Sequence, residues 1–221
     1  MSRADAPSRT SAPPVEGVTE TGVYWRRGEW RAADDDASWL GPAPIAGRSR
    51  DVRPAELRGR RLVGRRWVQD LVETRLGVAW PGFAVVGPRR KPVLLGGSGI
   101  DVSISHGAGT LLVGVAAEGL VGVDVEDEPF EAFGRPSLVR RMCTEHERAL
   151  VSALTGALRR RTLARAWTVK EAVLKAHGVG LARDPREIVV GDDELAAVER
   201  ARGPERTVVH VLGDGVVVRH P

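Results

Sequence analysis

The chain predicts an α+β fold, and two observations carry the prediction. Several short segments alternate apolar and polar residues, while two longer ones repeat apolar residues every three or four positions. These segments follow one another without the strict βαβ rhythm of a doubly wound sheet. The 221 residues are enough for one large domain or two small ones.

Residues 1–16 (MSRADAPSRTSAPPVE) are rich in Pro, Ser, Ala and Arg and predict a disordered tail. An organelle transit peptide fits less well, because Asp5 and the prolines break its pattern. GVTETGVYW at 17–25 predicts a strand, and Asp34–Asp36 with the Gly/Pro/Ala-rich stretch after them predict a loop. Asp51 can cap a helix entered through Pro54, with Leu57, Leu62, Val63, Trp67, Leu71 and Val72 as its apolar stripe and Gly77 as its end. FAVV at 83–86 predicts a short strand, GPRRKP at 87–92 a basic turn, and DVSISH at 101–106 a strand ending in His106. Residues 111–117 and 119–126 predict a hairpin turning near Glu118-Gly119. Thr144 and Glu147 form a capping-box pattern, and a long helix covers about 158–176 before Gly178. EIVV, TVVHVL and GVVVR supply three further strands.

Composition narrows the class. A content of 42% hydrophobic and 28% charged residues is that of a soluble globular protein. No apolar run approaches the roughly 20 residues of a membrane helix, so no membrane partner is expected. One cysteine, Cys143, excludes an internal disulfide and fits a reducing compartment, hence a cytoplasmic location. The net charge of +4 is unevenly spread. Arg48 to Arg66 holds eight arginines against Asp51 and Glu56, whereas Glu118 to Glu131 holds six acids and no base. A polyanion that travels with a divalent metal satisfies both segments; nucleic acid satisfies only the first.

The acidic segment contains VGVDVEDEP, Val121–Pro129. In a strand its valines face one way, and Asp124 and Glu126 face the other. Two carboxylates at that spacing repel unless something positive lies beyond them. A solvated strand end is one reading and a hard cation such as Mg²⁺ is the other. The 158–176 helix carries Lys170, Glu171 and Lys175, with Ala164, Trp167 and Leu174 on an apolar face. Taken alone, Glu171 and Lys175 make an ordinary helix pair worth roughly a few tenths of a kcal/mol.

Together the two segments resemble the signature of the 4′-phosphopantetheinyl transferase superfamily. That pattern is a Gly-hydrophobic-Asp-x-Glu strand, here GVDVE at 122–126, and a Trp-x-x-Lys-Glu-Ala-x-x-Lys helix, here WTVKEAVLK at 167–175. Ser105-His106 is similar to the family's Ser-His element, Lys91-Pro92 to its Gly-Lys-Pro turn with Arg90 in place of the glycine, Arg61–Arg65 to its first-lobe helix, and Gly178–Leu181 to its Gly-x-Gly-Leu. Met142 stands where the family often has an aromatic, which touches packing and not chemistry. The resemblance runs from about residue 45 to 190 and favours the long, monomeric Sfp-type branch.

The resemblance implies two similar α/β lobes, 17–117 and 118–221, with the active site in the cleft between them. It implies transfer of the phosphopantetheine arm of coenzyme A to a serine of an apo acyl or peptidyl carrier protein, releasing 3′,5′-ADP. Asp124, Glu126 and Glu171 would hold Mg²⁺ or Mn²⁺, and Glu171, directly or through a water on the metal, would be the base. Lys175 would contact the phosphate that gains charge, and Lys170 a neighbouring phosphate or solvent. Ser105 and His106 would bind a phosphate of the coenzyme. Lys91, Arg48 and Arg61 would bind its 3′-phosphate and nucleotide. Trp167 would be core, and surplus arginines would be a solvated face or would steer an acidic carrier. Three rivals differ in class: a basic nucleic-acid-binding protein, an inactive relative that only binds coenzyme A, and a metal-dependent pyrophosphate hydrolase. The first leaves GVDVE and KEAVLK unexplained, and the second conflicts with the presence of all three carboxylates and Lys175.

Overall fold

The computed structural model describes residues 13–29, 55–87, 90–188, 190, 208–212 and 215–220. The first twelve residues of the predicted tail, the acidic loop at 34–36, Arg48, Asp51 and Pro54 lie outside them. The tail prediction ran too far, since Val15 and Glu16 already belong to strand β1 (Val15–Val18). The single strand expected at 17–25 is a hairpin instead. β1 turns through Thr19–Val23 into β2 (Tyr24–Glu29), because the Thr19 hydroxyl and carbonyl both accept backbone N–H groups from that turn.

Helix α1 (Ala55–Arg75) forms as its apolar spacing predicts. Val63, Trp67, Val68, Leu71 and Val72 make a buried stripe against Val102, Leu111, Val113 and Val115. These last residues belong to β3 (Asp101–His106) and β4 (Thr110–Ala116). The FAVV strand is reduced to one bridge between Phe83 and Leu94, with no longer ladder around it among the described residues. The first sheet is antiparallel, in the order β1-β2-β4-β3.

The predicted hairpin of 111–117 with 119–126 does not form. Both edges of β4 are already paired, to β2 and β3, so β5 (Leu120–Val125) enters a second antiparallel sheet. That sheet has the order β5-β7-β6, with β6 at Val208–Leu212 and β7 at Gly215–His220. The described residues of the EIVV segment form no strand: its Glu187 closes a single 3₁₀ turn, Pro185–Glu187, entered through Asp184. Between the strands of the second sheet lie α2 (Pro136–Met142), α3 (Glu145–Leu150) and α4 (Gly156–Ala176). The predicted capping box is present, with Glu147 N–H donating to Thr144 Oγ1 (3.2 Å) and Thr144 N–H to Glu147 Oε2 (2.8 Å). α4 stops where the sequence says it must: Gly178 adopts φ +67°, a left-handed conformation costly for any other residue.

The valines of β5 pack with Val23, Leu112, Ala116 and Val217, which glues the sheets together. The other face of β5 receives α4. A Cβ on Gly122 would lie 1.8 Å from the Ala172 carbonyl oxygen, so only glycine lets the helix come so near. Along the free edge of β5, polar side chains of β3 replace a backbone ladder. Val121 N–H donates to Asp101 Oδ2 (2.7 Å) and Val123 N–H to Ser103 Oγ (3.0 Å).

Candidate active site

The same β3 face continues one step further, and there it meets the acidic strand. Asp101, Ser103 and Ser105 alternate along β3 toward β5, while Val102 and Ile104 turn back to α1. Ser105 Oγ donates to Asp124 Oδ1 at 2.7 Å. Lys175 Nζ, from the last turn of α4, donates to the same Oδ1 at 2.6 Å and to Ser105 Oγ at 2.9 Å. Asp124 is 4% exposed, and its other oxygen, Oδ2, is buried without a hydrogen-bond partner. A buried carboxylate oxygen left bare is costly, so it marks a place for a ligand with positive charge.

Trp167, Glu171 and Lys175 stand four residues apart on one ridge of α4, and that ridge runs along β5. Trp167 bonds to the Glu126 carboxylate. Burial, with the charges of Asp124 and Glu171, lifts the Glu126 carboxyl to about 7 against the opposing pull of Lys175 and the Trp167 bond. Burial raises Glu171 as well, with Lys175 opposing and Asp124 assisting. The three predicted carboxylates therefore feel one another's charge. They are not gathered as a ready-made metal cage: among the described residues, no three His, Cys, Asp or Glu side chains converge closely enough to hold an ion. The Lys175 ammonium holds the cationic position against Asp124 instead.

A cavity of about 320 Å³ opens beside this group. Arg61, Arg65, Arg90, Lys91, His106 and Lys175 bring basic side chains to its wall, and Gly178 and Gly180 bring backbone. Arg61 and Arg65 come from one face of α1, four residues apart, and the Arg65 guanidinium lies 4.8 Å over the Phe83 ring. Burial, with the charge of Arg61, lowers the Arg65 guanidinium. Six basic groups around one cavity suit a ligand with several negative charges.

Lys91 reaches the cavity wall but its ammonium is already engaged. It forms an ion pair with Asp101 and donates to the Ala176 carbonyl (3.0 Å) at the end of α4. Burial pulls it down while Asp101 opposes. Lys170 overturns its expectation of facing a phosphate or solvent. It is fully buried, paired to Glu147 (2.7 Å) and bonded to the Met142 carbonyl (2.8 Å). The reason is helical phase: Lys170 lies between Leu163 and Leu174 on the inner stripe of α4, about 100° round from Glu171. Met142 fills the core there completely. Trp167 packs beside Leu163 and Met142 as expected, and its bond to Glu126 is a role the sequence reading missed. Arg65 and Arg90 were also missed as wall residues; the four-residue step from Arg61 to Arg65 was the available signal.

No helix among the described residues is long and apolar enough to cross a membrane. A comparison with curated proteins returns no match. Residues 120–214 match the family model of the 4′-phosphopantetheinyl transferase superfamily, and this stretch includes Asp124, Glu126, Glu171 and Lys175. Through that region the chain is similar to the 4′-phosphopantetheinyl transferase superfamily.

Proposed function

We propose that the protein transfers the 4′-phosphopantetheine arm of coenzyme A to a serine hydroxyl of an apo acyl or peptidyl carrier protein and releases 3′,5′-ADP. The observation that carries this reading is the Lys175–Ser105–Asp124 cluster at the wall of a basic cavity. Coenzyme A brings a pyrophosphate and a 3′-phosphate, and the cavity offers charge for both. The carrier serine oxygen forms a bond to the phosphorus that bears the pantetheine arm. The bond from that phosphorus to the bridging oxygen breaks, and 3′,5′-ADP leaves with the electron pair. The serine proton goes to Glu171, whose affinity for protons burial raises above that of a free carboxylate. Lys175 Nζ donates to the oxygens that gain charge, and Ser105 holds the lysine in place. His106, Arg61 and Arg65 bind the nucleotide phosphates. Lys91 contributes through its grip on Asp101 and Ala176 and so positions the cavity wall.

Asp124, Glu126 and Glu171 fit a hard divalent cation by their donor chemistry. The bare Asp124 oxygen and the unfavourable ionisation of both glutamates are costs that such an ion relieves. Bound Mg²⁺ would supply charge neutralisation on the pyrophosphate. The two-lobe division near residue 117 belongs to the same reading, and it rests on each sheet carrying one helix of 21 residues. So do the monomeric state and the Sfp-type branch. Incubation with coenzyme A, Mg²⁺ and a panel of apo carriers tests the function by mass. Gain of the phosphopantetheine arm on a carrier serine is the expected result. An unmodified carrier with the arm released to water would make the protein a hydrolase, and no turnover across the panel would overturn the transferase reading.

A further inference from the structure

Asp127 lies just past the carboxylate strand and has no part in the chemistry above. Its Oδ2 accepts the N–H of Gly109 at 2.8 Å and of Thr110 at 3.1 Å. Gly109 lies in the turn that joins β3 to β4, which begins right after His106, and Thr110 opens β4. That turn is closed by Gly107 N–H donating to the Thr110 carbonyl (2.9 Å). Gly107 sits directly against the carboxylate, for a Cβ there would fall 2.5 Å from Asp127 Oδ2. The carboxylate is thus held in place by the backbone N–H groups of Gly109 and Thr110.

We propose that Asp127 is a positioning residue that bolts the Ser105-His106 end of β3 to the strand bearing Asp124 and Glu126. Asp127 directly follows Glu126 in the chain, so its bonds couple the carboxylate strand to the turn beyond His106, in addition to the β3–β5 contacts of Asp101, Ser103 and Ser105. Ser105 is already tied to Asp124 and His106 is paired with Leu111 of β4; Asp127 adds the bonds that fix the turn beyond them. This inference rests on coenzyme A being the ligand of the basic cavity.

The test measures coenzyme A binding by calorimetry together with amide hydrogen exchange at Gly109 and Thr110. Asp127→Ala is expected to weaken coenzyme binding roughly tenfold, in line with loss of charge-assisted hydrogen bonds, and to speed exchange at both amides. Asp127→Asn keeps an acceptor oxygen and is expected to restore slow exchange and most of the affinity. Gly107→Ala pushes the turn off the carboxylate and should weaken binding in the wild-type background but add little to Asp127→Ala; it stands in if Asp127→Ala does not fold. Unchanged affinity or unchanged exchange in Asp127→Ala, with binding by the wild type intact, overturns this inference alone. Absence of coenzyme binding by the wild-type protein overturns the proposed function and this inference with it.

Discussion

Lys175 shares Asp124 Oδ1 with Ser105, and the charges on this small group set its behaviour. Under the proposed function, the lysine is more useful on a phosphate oxygen of the coenzyme than on Asp124, so it should matter most when negative charge develops. Lys175→Ala is expected to lower kcat by roughly 10²–10³-fold, the scale of losing one donor to a developing oxyanion, with a much smaller change in KM for coenzyme A. Steady-state kinetics at several coenzyme concentrations check this, and an effect confined to KM would assign Lys175 to ground-state binding. Glu126 makes a separate prediction. Its carboxyl rises from an ordinary 4.5 to about 7 in the fold. A raised acid stabilises the folded state below the unfolded value and loses that contribution as pH rises through the folded one. Without divalent metal, the wild type should therefore lose stability relative to Glu126→Gln between about pH 4.5 and 7, and the gap should stay flat above that. Urea denaturation of both proteins across that range reads the effect, and added Mg²⁺ should shrink it.

Among the elements, α4 does the most. Its inner stripe builds the core with Val216, Val218 and Ile188, one ridge presents Trp167, Glu171 and Lys175 to β5, and Lys170 fastens it to α3 through Glu147. Glu147 also caps α3 and accepts Val190 N–H (3.1 Å), so a helix cap and a buried ion pair share one carboxylate. The approach of α4 to β5 depends on Gly122. Gly122→Ala places a methyl group 1.8 Å from a backbone oxygen that no side-chain rotation can relieve. A loss of at least about 3 kcal/mol is expected, as for other severe overpacking, with transfer activity lost in whatever folds. A urea midpoint close to that of the wild type would show that the helix can stand off the strand.

At the scale of the whole molecule, two sheets are joined without a continuous backbone ladder. The valines of β5 supply apolar contact. The Asp101, Ser103 and Ser105 side chains supply polar contacts to β5, and Lys91 ties Asp101 to the end of α4. Asp101→Ala strips the partner from Lys91 and from Val121 N–H together. The expected cost is about 2–3 kcal/mol, below that of a fully buried pair because both side chains keep some exposure. Asp101→Asn should cost less, since it keeps an acceptor for Val121. Equilibrium denaturation checks both, and a change in Asp101→Ala below about 0.5 kcal/mol, the range of an ordinary surface substitution, would mean the apolar interface alone holds the sheets.

Local periodicity was enough for α1, α4, the capping box at Thr144, and β3, β5 and β7, because in each the apolar spacing matches a single regular structure. The alternation in VGVDVE likewise sent the valines to a core and Asp124 to the opposite face, and the GVDVE and KEAVLK motifs held two side chains, Asp124 and Lys175, that the fold brings together. Strand partnership was beyond that reach. Nothing in residues 111–126 says that both edges of β4 are already taken, so adjacency in sequence suggested a hairpin that competition for edges forbids. The fate of Lys170 was hidden for a similar reason: a basic residue beside Glu171 looks like a phosphate contact until Glu147 supplies a buried partner from another helix. The joining of Ser105, Asp124 and Lys175, and the engagement of Lys91 by Asp101, are likewise tertiary decisions. Sequence spacing fixes where a side chain stands on its own element, but which charges meet depends on how helices and sheets pack, since Coulomb and hydrogen-bond energies act through space and not along the chain.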